Sequence, residues 1–531
     1  MRVGRARVAL ALGVLSLGLS GGCGGEEPNE PVDPAPAFGG QPNFVFVLTD
    51  DQDASSYTRE TMPRTWRLLG REGTSFENHF DATPLCCPSR AAMLTGQYGH
   101  NNGVLNNNPG YGDLLDPDNV LPVWLERAGY ATAYVGKFLN GYEKAVDDKD
   151  EVAPGWQRWS VLVGNGRGYR DFKLTVDGRQ RKETYSGEYL TNVLNGRAVD
   201  LVDELAAAEQ PFFLQLSQLA PHVESVNANS GGPCGGSAVP ARRDLGRYAG
   251  VGLPRIEGVR ERDVSDKPEI VAGQPVIGRT RREALRRQYQ CRLETLPAVD
   301  RGIAAIVAGL REAGELDETV ILFGSDNGTF HGQHRLPGGK GLAYEEAAKV
   351  PFVIRVPPRY LGGAQPVARV EEPTSNIDVV PSLVEWAGTE TCPEAGKCRV
   401  MDGRSLLGLI AGRPNAWPEQ RAMLTELDLR KDQVSPGRGI SCRYAGVRQG
   451  RWLYLRHSAL PDLATGECEE TEEVELYDHV SDPFELENLA AGSPERASPV
   501  AERLATLTDE LSDCAGIEGR DPEPESGHYC D

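Results

Sequence analysis

Asn43-Phe44-Val45-Phe46-Val47-Leu48-Thr49-Asp50-Asp51 opens the folded part of this 531-residue chain. Its apolar run is unbroken, whereas a strand with one wet face would alternate with polar residues. Such a run suits a strand buried on both faces of a parallel sheet. Similar runs recur at Ala131–Val135, Phe212–Leu216, Val320–Phe323 and Val350–Val356. Helical patterns lie between them, for example at Leu121–Ala128 and Leu296–Ala313. The alternation predicts an α/β fold, with a large mixed, mainly parallel sheet between helices. Beyond about residue 425 the character changes. Tyr444–Val447 and Trp452–Leu455 predict short antiparallel strands in a smaller C-terminal α+β subdomain.

The first strand ends in two carboxylates, Asp50-Asp51, and Asp326-Asn327-Gly328 closely follows the strand at Val320–Phe323. Ligands of open α/β sheets bind beyond the carboxyl ends of the strands. Three carboxylates and an amide oxygen at two such ends suit a hard cation, calcium or magnesium, rather than zinc. Either motif alone would read as a turn or cap.

Leu85-Cys86-Cys87-Pro88-Ser89-Arg90-Ala91-Ala92-Met93-Leu94-Thr95-Gly96 carries the chemistry. Cys-x-Pro-Ser-Arg followed by Leu-Thr-Gly resembles the signature of the type I sulfatases, in which the cysteine is oxidised to formylglycine (3-oxoalanine). The resemblance runs from Asn43 to about Leu489. It includes Gly136-Lys137-Phe138-Leu139-Asn140, Ala220-Pro221-His222, Lys340 and Glu475-Leu476-Tyr477-Asp478. The pattern is most similar to the N-acetylglucosamine-6-sulfatase branch. It implies an alkaline-phosphatase-like sandwich and one calcium ion, or magnesium, held by Asp50, Asp51, Asp326 and Asn327. It also implies that Cys86 becomes the aldehyde and, hydrated, the gem-diol nucleophile. Arg90 would orient the diol, and Lys137, His222 and Lys340 would meet the sulfate or the leaving oxygen. Many arylsulfatases have a histidine two residues after the lysine matching Lys137. Leu139 stands there in this chain, so His331 or His334 is a candidate replacement, and His334 is carried forward as a substrate contact.

The chemistry accounts for these parts. A sulfate monoester repels nucleophiles, and a cation with Arg90, Lys137 and Lys340 would offset the charge that spreads in the transition state. A gem-diol attacks sulfur to give a covalent sulfo-enzyme. Its second hydroxyl then re-forms the aldehyde and expels sulfate, a built-in release step. His222 titrates near working pH and can serve as acid or base. The loop is expected to enter a helix near Ser89 or Arg90, with Pro88 in its first turn and backbone donors facing the anion.

Three other functions compete: an arylsulfatase of broad specificity, a formylglycine phosphonate or phosphate monoester hydrolase, and a non-catalytic glycan-binding relative. The chain has 8 histidines, and most lie outside the ligand motifs, which argues against a two-zinc phosphatase. A non-catalytic relative would be expected to lose Cys86 or a metal ligand, and neither is lost.

Net charge is −21, which excludes nucleic acid and anionic membrane surfaces as favoured partners. At the N-terminus, Arg2, Arg5 and Arg7 precede an apolar run from Val8 to Leu19, as in an export signal ending at Cys23. The run is too short for a membrane span. Ser20-Gly21-Gly22-Cys23 resembles a lipoprotein cleavage box, so Cys23 is a candidate lipid anchor, with simple secretion as the alternative. The divisions expected are therefore 1–23 signal, 24–42 disordered linker, 43–424 catalytic domain and 425–531 C-terminal subdomain. Of the 11 cysteines, eight beyond Cys87 can form four disulfides in an oxidising compartment. Sequence neighbours suggest Cys234–Cys291, Cys392–Cys398, Cys442–Cys468 and Cys514–Cys530.

The expected substrate is a sulfate on a small or terminal sugar, of the glucosamine 6-sulfate type, and the maturation partner is a formylglycine-generating enzyme. Residues 223 to 278 form an irregular insertion, expected to be a loop beside the site. From Pro240 to Arg292 there are 13 Lys or Arg against 7 Asp or Glu. A solvated helix around Arg281–Arg292 is the favoured explanation, and a border to the pocket is the other.

Overall fold

A computed structural model of the chain describes residues 40–146, 151–165, 168–177, 179–224, 234, 236–392, 398–413, 417–418, 420–429, 440–462, 464–492 and 498–531. The signal segment, Cys23 and most of the linker lie outside these residues.

Four parallel strands form the centre: β1 (Asn43–Asp50), β2 (Ala131–Gly136), β3 (Phe212–Pro221) and β4 (Thr319–Ser325). Their order is β4-β1-β3-β2, inside a ten-stranded mixed sheet. All residues of β1 are buried. Phe44, Phe46 and Leu48 enter one core with Trp124, Leu383 and Trp386. Val45 and Val47 enter the other, against Leu194, Leu201, Val299 and Ile306. Two cores explain why the run does not alternate. The second core is roofed by two helices, Leu190–Ala206 and α1 (Arg279–Ala313).

Two expectations change. The apolar run near Val350 forms the strand Phe352–Arg355, but it pairs antiparallel with β4. A parallel return needs a crossover of a dozen or more residues, usually a helix on the sheet face. Here the connection holds only the 3-10 turn Gln333–Arg335 and the short α-helix Glu345–Ala348, and between them Lys340 lies against the Asp51 carboxylate at the carboxyl end of β1. The helix expected at Leu296–Ala313 and the arginine-rich stretch before it are one helix, α1, which continues through Pro297.

The C-terminal sheet is antiparallel, in the order β5 (Ala422–Asp428), β6 (Arg443–Gln449), β7 (Trp452–Pro461), β8 (Cys468–Asp478). The four disulfides join the sequence neighbours named above. No helix among the described residues is long and apolar enough to cross a membrane.

Candidate active site

The carboxyl ends of β1 and β4 lie side by side, with Thr49 opposite Ser325. Beyond them the backbone knits two acidic turns together. Asp51 N donates to Asp326 Oδ1 at 3.1 Å, and Asp326 N donates to Thr49 O at 3.1 Å. Asp51 takes a left-handed φ of 63°, a conformation that aspartate tolerates better than most residues. This turn brings Asp50, Asp51, Asp326 and Asn327 into one buried group.

Cys86 begins a ten-residue helix, Cys86–Thr95, whose side chains are all buried. The helix thus starts at the cysteine itself, three residues before the predicted entry at Ser89, and Leu85 is its extended N-cap. Arg90 lies one turn on, on the same face. Its Nε and Nη2 each bind Asp326 Oδ2 at 2.8 Å, and its Nη1 donates to Lys137 O at 2.7 Å.

Lys137 follows Gly136, the last residue of β2. A Cβ at Gly136 would stand 1.9 Å from Ser217 O, so this close approach of β2 to β3 requires glycine. Lys137 Nζ pairs with Asp50 and lies 3.3 Å from Cys86 Sγ. Lys340 Nζ pairs with Asp51 and lies 2.7 Å from the same sulfur. Cys86 Sγ also lies 3.5 Å from Asp50 Oδ1. His222, just after β3, has Nδ1 2.6 Å from Val223 O and Nε2 3.6 Å from Asp51 Oδ2. Its Nδ1–H can donate to that carbonyl, which leaves Nε2 on the pocket side able to take a proton.

The electrostatics follow from burial and these partners. Burial would raise the Asp50 carboxyl, but Lys137, His222, Lys340 and Arg90 bring it down to about 2. Asp51 is lowered too, against burial, by Lys340, His222 and Arg292. Asp326 is raised by burial and by the charge of Asp50. Burial and Asp50 push the Cys86 thiol up to about 12, against Lys137 and Lys340. The unmodified thiol is therefore held protonated. Burial lowers His222, so the ring is neutral near neutral pH.

The donor set fits a hard cation. Three carboxylates converge, and Asn327 Oδ1 is buried with no hydrogen-bond partner while its amide nitrogen donates to Asp51 Oδ1 at 2.7 Å. An orphaned amide oxygen beside carboxylates is what a calcium or magnesium ion would complete.

A pocket of about 610 Å³ is lined by Asp51, His222 and Lys340 among others, and Lys340 links it to Cys86. His331, one of the two histidines offered as a replacement at Leu139, lines it as well, as do Arg292, Asn107 and Asn108, which motif reasoning did not assign a place there. Arg292 projects from α1 to within 3.7 Å of Asp51 Oδ2 and donates to Pro221 O at 3.1 Å. Its signal was the arginine-rich stretch ending at position 292.

His334 lies away from the pocket and is fully buried. Its Nδ1 binds Glu261 Oε2 at 2.8 Å, and its Nε2 lies 3.8 Å from Glu346. This belongs to an ionic seam that also includes Lys267, Arg255, Glu345, Arg448 and Glu485 and joins the insertion to the C-terminal sheet. His331 does line the pocket, and its Nε2 is 3.3 Å from Asp53 Oδ2. Leu139, where arylsulfatases often have histidine, is buried in the first core.

A profile of the family described as Sulfatase matches residues 42–389. The arylsulfatase of Volvox carteri is 34% identical over 370 residues, which is 66% of this chain and 56% of that protein, so the chain spans about half the length of that relative. The N-acetylglucosamine-6-sulfatase of Homo sapiens is 30% identical over 505 residues, 91% of this chain and 86% of that protein. The solved structure of a protein in complex with its substrate D-glucosamine-2-N,6-O-disulfate shares the fold, with a TM-score of 0.68 at 21% identity, over 88% of this chain and 97% of that one. Cys86, Arg90, Lys137, His222, Lys340 and the four candidate metal ligands all fall within the matched segment, and the chain belongs to the sulfatase family.

Proposed function

We propose that this chain hydrolyses sulfate monoesters, and that its substrate is a small or terminal sugar sulfated at a glucosamine-type 6-position. One observation carries the reading. Cys86 Sγ lies within 3.5 Å of Lys340 Nζ, Lys137 Nζ and Asp50 Oδ1, Lys340 lines an open pocket, and Arg90 is anchored one turn away. The 30% identity to the human N-acetylglucosamine-6-sulfatase, spread over most of both chains, supports the sugar assignment.

In this reading Cys86, oxidised to formylglycine by a maturation enzyme, supplies a hydrated aldehyde as nucleophile. Asp50, Asp51, Asp326 and Asn327 would hold a calcium or magnesium ion, which supplies Lewis-acid stabilisation of negative oxygen. The chain's own groups do the rest. Lys137 and Lys340 flank the reacting atom and offset the charge that builds on the sulfate oxygens. Arg90 fixes the geometry through Asp326 and the Lys137 carbonyl. His222, neutral with Nε2 toward the pocket, takes a proton from the nucleophile or returns one to the leaving oxygen. Four disulfides and the N-terminal pattern support export, as a secreted or lipid-anchored protein.

The test is a panel of 6-sulfated sugars, aryl sulfates and a phosphonate monoester, together with the intact mass of the tryptic peptide containing Cys86. Preferred turnover of the sugar sulfate and an aldehyde mass at Cys86 are expected. Preferred phosphonate turnover, or an unmodified thiol in active protein, would refute the reading.

A further inference from the structure

A second cavity, of about 980 Å³, lies beside the pocket, and six arginines line it: Arg260, Arg262, Arg279, Arg282, Arg286 and Arg335. Glu261 and Glu283 are its carboxylates, and both are engaged. Glu261 binds Lys267 at 3.2 Å and His334 at 2.8 Å, and Glu283 binds Arg279 at 3.1 Å. Among the described residues, none of Arg260, Arg262, Arg282, Arg286 and Arg335 forms an ion pair. Folding gains nothing from cations gathered this way, since like charges repel.

Two of the arginines are held in place. Arg282 Nη1 donates to Ile277 O, and Arg335 donates to Gln274 O and Arg262 O. These bonds leave other donors of each five-donor guanidinium for a ligand. Arg335 reaches the cleft from two successive left-handed residues, with φ of 50° at His334 and 60° at Arg335. Each costs about 1–2 kcal/mol for a residue with a Cβ. Strain of this kind persists where the surroundings enforce it, often at ligand sites.

The cleft is close to the pocket. A Cβ at Gly332 would meet Leu285 Cδ1 at 3.2 Å, Val259 Cγ1 at 3.4 Å and Ile277 Cδ1 at 3.5 Å. Leu285 lines the pocket, and Val259 and Ile277 line the cleft, so one layer of side chains separates them. Along α1, Arg286 precedes Arg292 by about 9 Å of helical rise.

We propose that the cleft is an anion subsite, which binds a second negatively charged substituent of a sulfated oligosaccharide whose terminal sugar occupies the pocket. The inference rests on the sugar-sulfatase reading. The planar guanidinium fork suits two-pronged bonding to sulfate or carboxylate groups. The arginine-rich stretch is then more than a solvated helix face.

The experiment is calorimetric titration of the full chain with a heparin-like tetrasaccharide at low and high salt. It is repeated on Arg260→Glu/Arg286→Glu, which alters two exposed side chains, and on Arg282→Ala, with thermal unfolding to confirm folding. The double variant should bind about tenfold more weakly, and its salt dependence should flatten, because exposed charge contacts are screened. Unchanged affinity in both variants, or no binding by the wild type, overturns the subsite. Turnover of a 6-sulfated monosaccharide by the wild type is measured in parallel. Arginine-dependent binding without that turnover would show that the cleft binds anions but overturn its role as a substrate subsite together with the sugar-sulfatase reading.

Discussion

Two buried ionic clusters lie near each other in this protein, and they serve different ends. At the site, Asp50, Asp51 and Asp326 face Arg90, Lys137, Lys340 and Arg292, and the group opens into a pocket. In the seam, Glu261, Glu345, Glu346 and Glu485 face Lys267, Arg255, Arg448 and His334. Both clusters shift the pKa values of their members. The site has a surplus of positive charge even before a metal is added, whereas the seam balances once His334 is protonated. Perturbed titration therefore does not by itself mark a functional site. Uncompensated charge at an open pocket does.

The sharpest test of the contrast is Cys86→Ala, which should abolish turnover, a loss of more than about 10³-fold, while the melting temperature barely moves. Cys87→Ala, one position on and facing the core, should keep its activity. Asp326→Ala removes a ligand and the anchor of Arg90 together. It should cost about 10²–10³-fold in kcat and lower the bound calcium or magnesium read by elemental analysis. His222→Ala should cost about 10²-fold in kcat and remove one limb of the pH–rate profile.

The seam should behave in the opposite way. His334→Ala leaves two buried carboxylates short of a partner and should cost about 3 kcal/mol in denaturant unfolding. Its kcat/KM should stay within about threefold of wild type; a loss as large as that of His222→Ala would return His334 to the site. The smallest effect is on pH. Burial alone would lower His334, but hydrogen bonds and charge from Glu261 and Glu346 raise it to about 10. A raised histidine stabilises fully below its unfolded value of about 6.5, and that stabilisation fades as pH climbs through the folded value. Wild-type stability should therefore fall toward pH 10, while His334→Gln should show a flatter profile over the same range.

Much of this was legible in the sequence because the features are local. The apolar run of β1, the acidic turns that end two strands, and the Cys86–Gly96 signature each fit within a dozen residues. Gly136-Lys137 and Pro221-His222 were placed by resemblance, and each stands at or just beyond a strand end. What could not be read depends on distance. Arg292 reaches the pocket because α1 runs unbroken through Pro297, a residue that usually argues for a break. His331 and His334 are three residues apart in one loop, and a left-handed turn sends one toward the pocket and the other into the interior. No periodicity in the sequence distinguishes them.

The order of the central strands also bears on how the chain is made. β1 lies between β3 and β4, and its partner residues in β4 come about 275 positions later in the chain, as do the contacts of Asp51 with Asp326. At ~5–20 residues per second, a ribosome needs roughly 15–55 seconds to reach them. Throughout that interval β1, whose residues are all buried in the finished fold, has at least one edge without its final neighbour. An open apolar edge invites pairing with other chains. The nascent protein therefore has a long window of aggregation risk, which closes only when residues 319–325 emerge and β4 docks.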